Sequence, residues 1–171
     1  MAITKIQSES LNLADTYDFT GTVTGAGGAN TPAFFAMMSS SENVTYTRTK
    51  ASFQTEVIDT AGAFASSRFT VPSGQAGKYF IFGSIKGEVD TDNHMLNMYS
   101  NIYKNGSNSV ENRLDFGTNG ARSCTNLVHA LLDLSVGDYV ELYGLVQTSS
   151  SQASFNAESN SSTFGGYKII T

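Results

Sequence analysis

The chain has 171 residues, a formal net charge of −5, 40% hydrophobic residues and only 15% charged ones. That length gives one domain with a substantial core and room for an extension. The acidic balance and the lack of any Lys/Arg run speak against a phosphate-binding surface, so nucleic acid is not an expected partner.

Polarity comes from Ser, Thr, Asn and 16 Gly, residues that compete with helix for backbone hydrogen bonds and favour strands and turns. The single cysteine, Cys124, cannot form an intrachain disulfide and reads as a small buried hydrophobe. The first ten residues, MAITKIQSES, lack the apolar centre of a secretory leader. No apolar run approaches the roughly 18 residues of a membrane span. The expectation is synthesis in a cytoplasm, with no membrane insertion.

Residues 1–30 differ from the rest. Ile3, Ile6, Leu11, Leu13 and Phe19 are scattered among polar residues, and the stretch ends in a glycine-rich hinge at 25–28. This is too sparse for a core of its own and reads as an arm docking on another subunit or a larger assembly. The GxGG of the hinge lacks the Lys-Ser/Thr of a phosphate loop. From residue 31 onward the pattern is globular. Pro32 to Met38 is a short apolar strand opened by proline, and 44–59 alternates Thr with Val, Tyr and Phe over one or two half-exposed strands. A turn and short strand follow around Phe64.

The organising stretch is 69–87, FTVPSGQAGKYFIFGSIKG. Pro72 ends one strand, and Ser73, Gly74 and Gly77 supply a turn. The strand that follows is apolar on both faces, so one face meets the core and the other needs a cover. Residues 88–94 form the most acidic loop. Its Asp90, Asp92 and Asn93 are calcium-type oxygen ligands with His94 beside them, but the glycine and late glutamate of an EF-hand loop are missing. In the next strand Leu96, Met98 and Ile102 share one face and Tyr99 and Tyr103 the other, and Asn105-Gly106 signals a hairpin. Its partner strand spans 110–116. Residues 124–134 fit helix or strand by period, and the Gly137-Asp138 turn with the strand 139–148 behind it favours strand. In 139–148, Val140, Leu142 and Val146 form a core face and Tyr139, Glu141 and Tyr143 a tyrosine-rich outer one. Residues 149–162 read as a long exposed Ser/Asn loop, and 164–170 as the closing strand. Eight to ten antiparallel strands without a helix make an all-β, two-sheet jelly roll.

The pieces PAFFA (32–36), FTVPSGQAGKYFIF (69–82), IYKNG (102–106), LSVGDYVEL (134–142) and FGGYKII (164–170) occur in the order and spacing of the C1q-like globular domain, of the tumour-necrosis-factor-like jelly rolls, which residues 31–171 resemble. The resemblance implies a homotrimer whose contact buries apolar residues on the outer face of one sheet. Tyr79, Ile81, Leu127, His129, Leu131, Tyr139 and Tyr143 are the positions expected there. No collagen repeat precedes the domain. The arm instead resembles the opening segments of phage fibre and virion proteins, which implies a virion location and docking of 1–30 on other capsid or tail proteins.

No catalytic constellation stands out. His94 and His129 are the only histidines, no GxSxG elbow exists, and carboxylates such as Glu111 and Asp115 carry no mark of a glycosidase pair. The expectation is a non-enzymatic virion protein, either a tail-fibre or spike tip for host attachment or a capsid decoration. The alternatives are a soluble C1q-like carbohydrate- or protein-binding module and, less favoured, a glycan depolymerase. Receptor contacts, to a host glycan or protein, are expected at Asp90, Asp92, Asn93, Asn156 and Asn160. No cofactor is implied beyond a structural calcium at Asp90, Asp92 and Asn93.

Overall fold

The computed structural model describes residues 30–150 and 152–169. The arm residues Ile3, Ile6, Leu11, Leu13 and Phe19, on which the anchoring expectation falls, lie outside them. Thirteen strands follow in order: β1 (Ala33–Met37), β2 (Glu42–Val44), β3 (Thr49–Lys50), β4 (Thr55–Asp59), β5 (Phe64–Ala65), β6 (Arg68–Thr70), β7 (Gly77–Val89), β8 (Met95–Lys104), β9 (Ser107–Asp115), β10 (Ser123–Leu134), β11 (Tyr139–Thr148), β12 (Ala153–Asn156) and β13 (Thr163–Lys168). The one helical element among the described residues is a 3-10 turn, Glu158–Asn160.

The strands form two antiparallel sheets, as expected of a jelly roll. The first is built on β7. Strand β10 pairs along its whole length, while β13 and β12 share its other edge. Outside these lie β1 next to β13, β4 next to β1, and β2 next to β12. The second sheet runs β5-β6-β11-β8-β9, with β3 also on β11. The central place of 77–89 agrees with its composition, since its long inward face, Tyr79, Ile81 and Ile85, is apolar and fully buried.

The core lies between the sheets. Tyr79, Ile81 and Ile85 of β7 meet Met98 and Ile102 of β8 and Leu142 and Val146 of β11, all fully buried. Phe34 anchors an aromatic cluster at one end, stacked on Phe69 at 4.6 Å and Phe64 at 5.3 Å and edge-on to Phe164 at 5.1 Å. Glycine sets the sheet spacing at Gly83, where a Cβ would sit 2.6 Å from Leu142 Cδ2. Cys124 points into this core with Sγ 3.5 Å from Met98 Sδ, and burial pushes its thiol up to about 11.

Two expectations change. Residues 149–162 are not one exposed loop, because β12 runs through them with Ala153 and Phe155 buried. Residues 44–59 divide into the end of β2, then β3 and β4, which belong to different sheets. The Asn105-Gly106 hairpin is present as expected, both residues at positive φ between β8 and β9.

Candidate functional site

Pairing of β10, β7, β13, β1 and β4 brings their outward side chains into rows across the first sheet. One row runs Leu131, Phe80, Tyr167, Ala33. The next runs His129, Phe82, Gly165, Phe35, Ile58. The third runs Leu127, Ser84, Thr163, Met37. Rings cover the first two rows. Phe80 lies 5.7 Å from Tyr167, 5.9 Å from Phe82 and 6.1 Å from His129. Phe82 reaches Phe35 at 6.3 Å by lying over Gly165, where a Cβ would stand 2.6 Å from its Cζ. These rings shield one another, but nothing among the described residues covers the aliphatic groups beside them. Leu131 is 71% exposed, Leu127 61% and Ile58 46%.

The apolar rows end in polar ones, the anatomy of a contact surface with an apolar centre and a wet rim. Lys78 and Asp133 pair at 3.3 Å beyond Leu131. At the other end Asn43, Glu88, Asp90, Arg122, Ser154 and Asn156 line an open cleft of about 230 Å³. There Asn156 Nδ2 donates to Glu88 Oε2 at 2.5 Å, and Arg122 lies 3.6 Å from Glu88 and 3.2 Å from Asp92.

This arrangement corrects part of the expected contact set. Tyr79 and Ile81 face the core with no exposed surface, so they are closed to a partner. Burial pushes the Tyr79 hydroxyl up to about 12, and it donates to Gln75 O at 2.6 Å. The outward residues of the same strand are Phe80 and Phe82. Leu127, His129 and Leu131 are exposed on the outer face. Tyr139 and Tyr143 project from the outer side of the other sheet, where Arg68 sits 3.9 Å above the Tyr139 ring and Tyr143 stacks on Tyr103 at 4.0 Å. The seven positions therefore fall on three different surfaces. A signal in the sequence separates the faces of β7. Gly83 and Gly87 share the phase of Tyr79 and Ile81, and strand glycine marks close backbone approach. Ser84, Lys86 and Glu88 share the phase of Phe80 and Phe82.

The residues of the acidic loop do not fit a calcium ion. The Arg122 guanidinium sits on Asp92 where a cation would stand, and His94 Nδ1 turns to Ser149 Oγ at 3.0 Å. No group of three His, Cys, Asp or Glu converges among the described residues. Of the expected receptor contacts, Asp90 and Asn156 meet at the 230 Å³ cleft, while Asn160 lies at the end of the 3-10 turn. The two carboxylates weighed for glycoside cleavage are engaged, Glu111 with Arg48 at 2.5 Å and Asp115 with Arg113 at 2.6 Å. No described helix is long and apolar enough to cross a membrane.

No protein-family model matches the chain, and no curated protein matches it in sequence. Solved structures do match. The globular domain of zebrafish complement 1qA protein aligns with a TM-score of 0.56 at 16% identity, over 81% of this chain and 98% of that one. Murine APRIL aligns at 0.59 and 9% identity, over 80% and 98%. The Eiger TNF of S. frugiperda aligns at 0.60 and 13% identity, over 81% and 91%. At these identities the likeness is one of fold, and the described chain has the jelly roll shared by the C1q and TNF globular domains.

Proposed function

We propose that the protein is a non-enzymatic, homotrimeric display module of a phage particle, assembled through the outer face of its first sheet and anchored by residues 1–30. The observation that carries the assembly is the row of exposed and ring-covered apolar groups from Leu131 and Leu127 across Phe80 and Phe82 to Phe35 and Ile58. A contiguous apolar face with a polar rim is a contact surface on a soluble protein. The C1q- and TNF-like fold supports self-contact through it. The engaged carboxylates support a binding role over catalysis. The particle setting rests on the arm's resemblance to virion segments. Within it, a tail-fibre or spike tip would use its loops on a host glycan or protein, and a capsid decoration would use the arm on the shell.

The mass of the full chain in solution, by light scattering after size exclusion, tests the assembly: a trimer is expected, and a monomer at micromolar concentration overturns it. A denaturing gel of purified particles tests the setting. The band is expected among the particle proteins. Its absence there, with the protein free in the lysate, favours the second reading, a soluble C1q-like binding module, which the fold likeness supports equally.

A further inference from the structure

The outer face of the second sheet, opposite the apolar one, holds a different set of groups. Tyr99, Asn101 and Tyr103 of β8 point outward from it, with Tyr143 of β11 on one side and Glu111 and Arg113 of β9 on the other. Tyr99 lies between two guanidinium groups, Arg48 at 5.3 Å and Arg113 at 5.4 Å from its centroid. Asn101 forms the floor and is fully buried. Its Nδ2 donates to Glu111 Oε2 at 2.7 Å and to Asn108 Oδ1 at 3.3 Å. That fixes the amide orientation, since a flipped amide would aim oxygen at two acceptors. Its Oδ1 has no hydrogen-bond partner, although a buried polar atom left unpaired is costly and rare. Arg48, part-exposed, comes to the same Glu111 oxygen from the solvent side.

We propose that this tyrosine-walled trough binds a neutral polysaccharide, one sugar of which donates a hydroxyl to Asn101 Oδ1 after Arg48 swings aside. The orphan oxygen is an acceptor and calls for a donor, which a sugar hydroxyl supplies. Tyrosine rings are flat, amphipathic and rigid, and the same displacement of Arg48 would uncover the Tyr99 ring for the apolar face of a pyranose while its hydroxyl stays wet. The charges on this face are already paired within the chain: Arg48 with Glu111, Arg113 with Asp115, and Lys50 and Arg68 with Glu141. A neutral partner gives up only the part-exposed Arg48–Glu111 pair, whereas an ionic one would compete with the others as well. An apolar protein partner finds little here, since outward Leu145 of β11 is itself buried. The trough lies away from the self-contact face and stays open in an assembly built on that face.

This inference rests on the binding-module reading but not on the trimer, because all of its residues come from one chain. The test is affinity electrophoresis of the full chain in native gels cast with dextran, mannan, galactan or glycol chitin, with alginate as the acidic comparison. Retardation is expected in at least one neutral gel. It should weaken at least tenfold in Tyr99→Ala and Asn101→Leu and persist in Tyr99→Phe, with solution mass and circular dichroism of Tyr99→Ala unchanged. If Asn101→Leu does not fold, the contrast of Tyr99→Ala with Tyr99→Phe decides alone. No retardation in any neutral gel, retardation by alginate only, or full retention in Tyr99→Ala overturns the proposal. A wild-type chain that is monomeric yet retarded would overturn the assembly and leave the trough standing.

Discussion

Individual side chains tie the turns of the second sheet together. The Asp138 carboxylate accepts from Asn105 Nδ2 at 2.7 Å and from Ser135 N–H at 2.9 Å, with Lys104 Nζ at 3.0 Å. The Asn105 bond is the chief cause of a carboxyl held down at about 2, followed by the Ser135 amide and Lys104. A group depressed in the folded chain stabilises it above the unfolded value, near 3.8, and loses that effect as pH falls through the folded one. Asp138→Asn is therefore expected to lower the melting temperature at pH 7, with the gap from wild type narrowing below about pH 4 and closing near pH 2. A constant gap across that range in thermal melts would refute the linkage. Gly144 makes a second residue-level case. A Cβ there would stand 2.7 Å from Phe155 Cζ and 2.8 Å from Ile85 Cδ1, so the two sheets touch at a residue without a side chain. Gly144→Ala should destabilise by about 1–3 kcal/mol, the cost of overpacking, seen as a lower urea midpoint.

At the scale of the strand, the legible elements were those whose pattern is self-sufficient. Strands β7, β8 and β11 carry long alternating runs, and the β8–β9 hairpin announces itself through Asn105-Gly106. Strand β10 fits a helical period, and only the Gly137-Asp138 turn and the strand behind it argued for an extended chain. Strand β12 escaped because its four residues, Ala153–Asn156, carry one large apolar side chain in a Ser/Asn-rich context. Its pairing with β7 and β2 is a tertiary fact that no local pattern states. The acidic loop misled for the opposite reason. Its ligand-type residues are local, while the cation that meets Asp92 is Arg122, thirty positions on. Since Phe155 is fully buried, Phe155→Ala should cost about 3–5 kcal/mol. A surface loop would lose less than about 0.5 kcal/mol from the same change. Chemical denaturation separates the two, and a near-zero change would return this segment to the loop expected from its composition.

For the whole molecule, the two outer faces of the sandwich have opposite characters, and assembly through one face predicts different outcomes on each. On the first sheet the apolar groups have, among the described residues, only one another, and Leu131 is 71% exposed. On the second, Tyr143 is satisfied by its stack on Tyr103, and the buried Glu141 is met by Lys50 and Arg68. Leu131→Asp puts a charge into the apolar part of the proposed contact, next to its Lys78–Asp133 rim, and desolvating a charge in such a contact costs several kcal/mol of association. Because Leu131 is exposed in the single chain, the folded protomer should survive the change. The expected outcome by light scattering is a fall from trimer to monomer mass with circular dichroism intact. Tyr143→Asp, on the other face, should leave the trimer mass in place and lower only the melting temperature, through loss of the Tyr103 stack. The reverse pattern, Tyr143→Asp dissociating and Leu131→Asp remaining trimeric, would move the contact to the second sheet. The tyrosine trough would then lie inside an interface, closed to any polysaccharide, so the mass of this one pair of variants also decides which face of the molecule is left to meet a ligand.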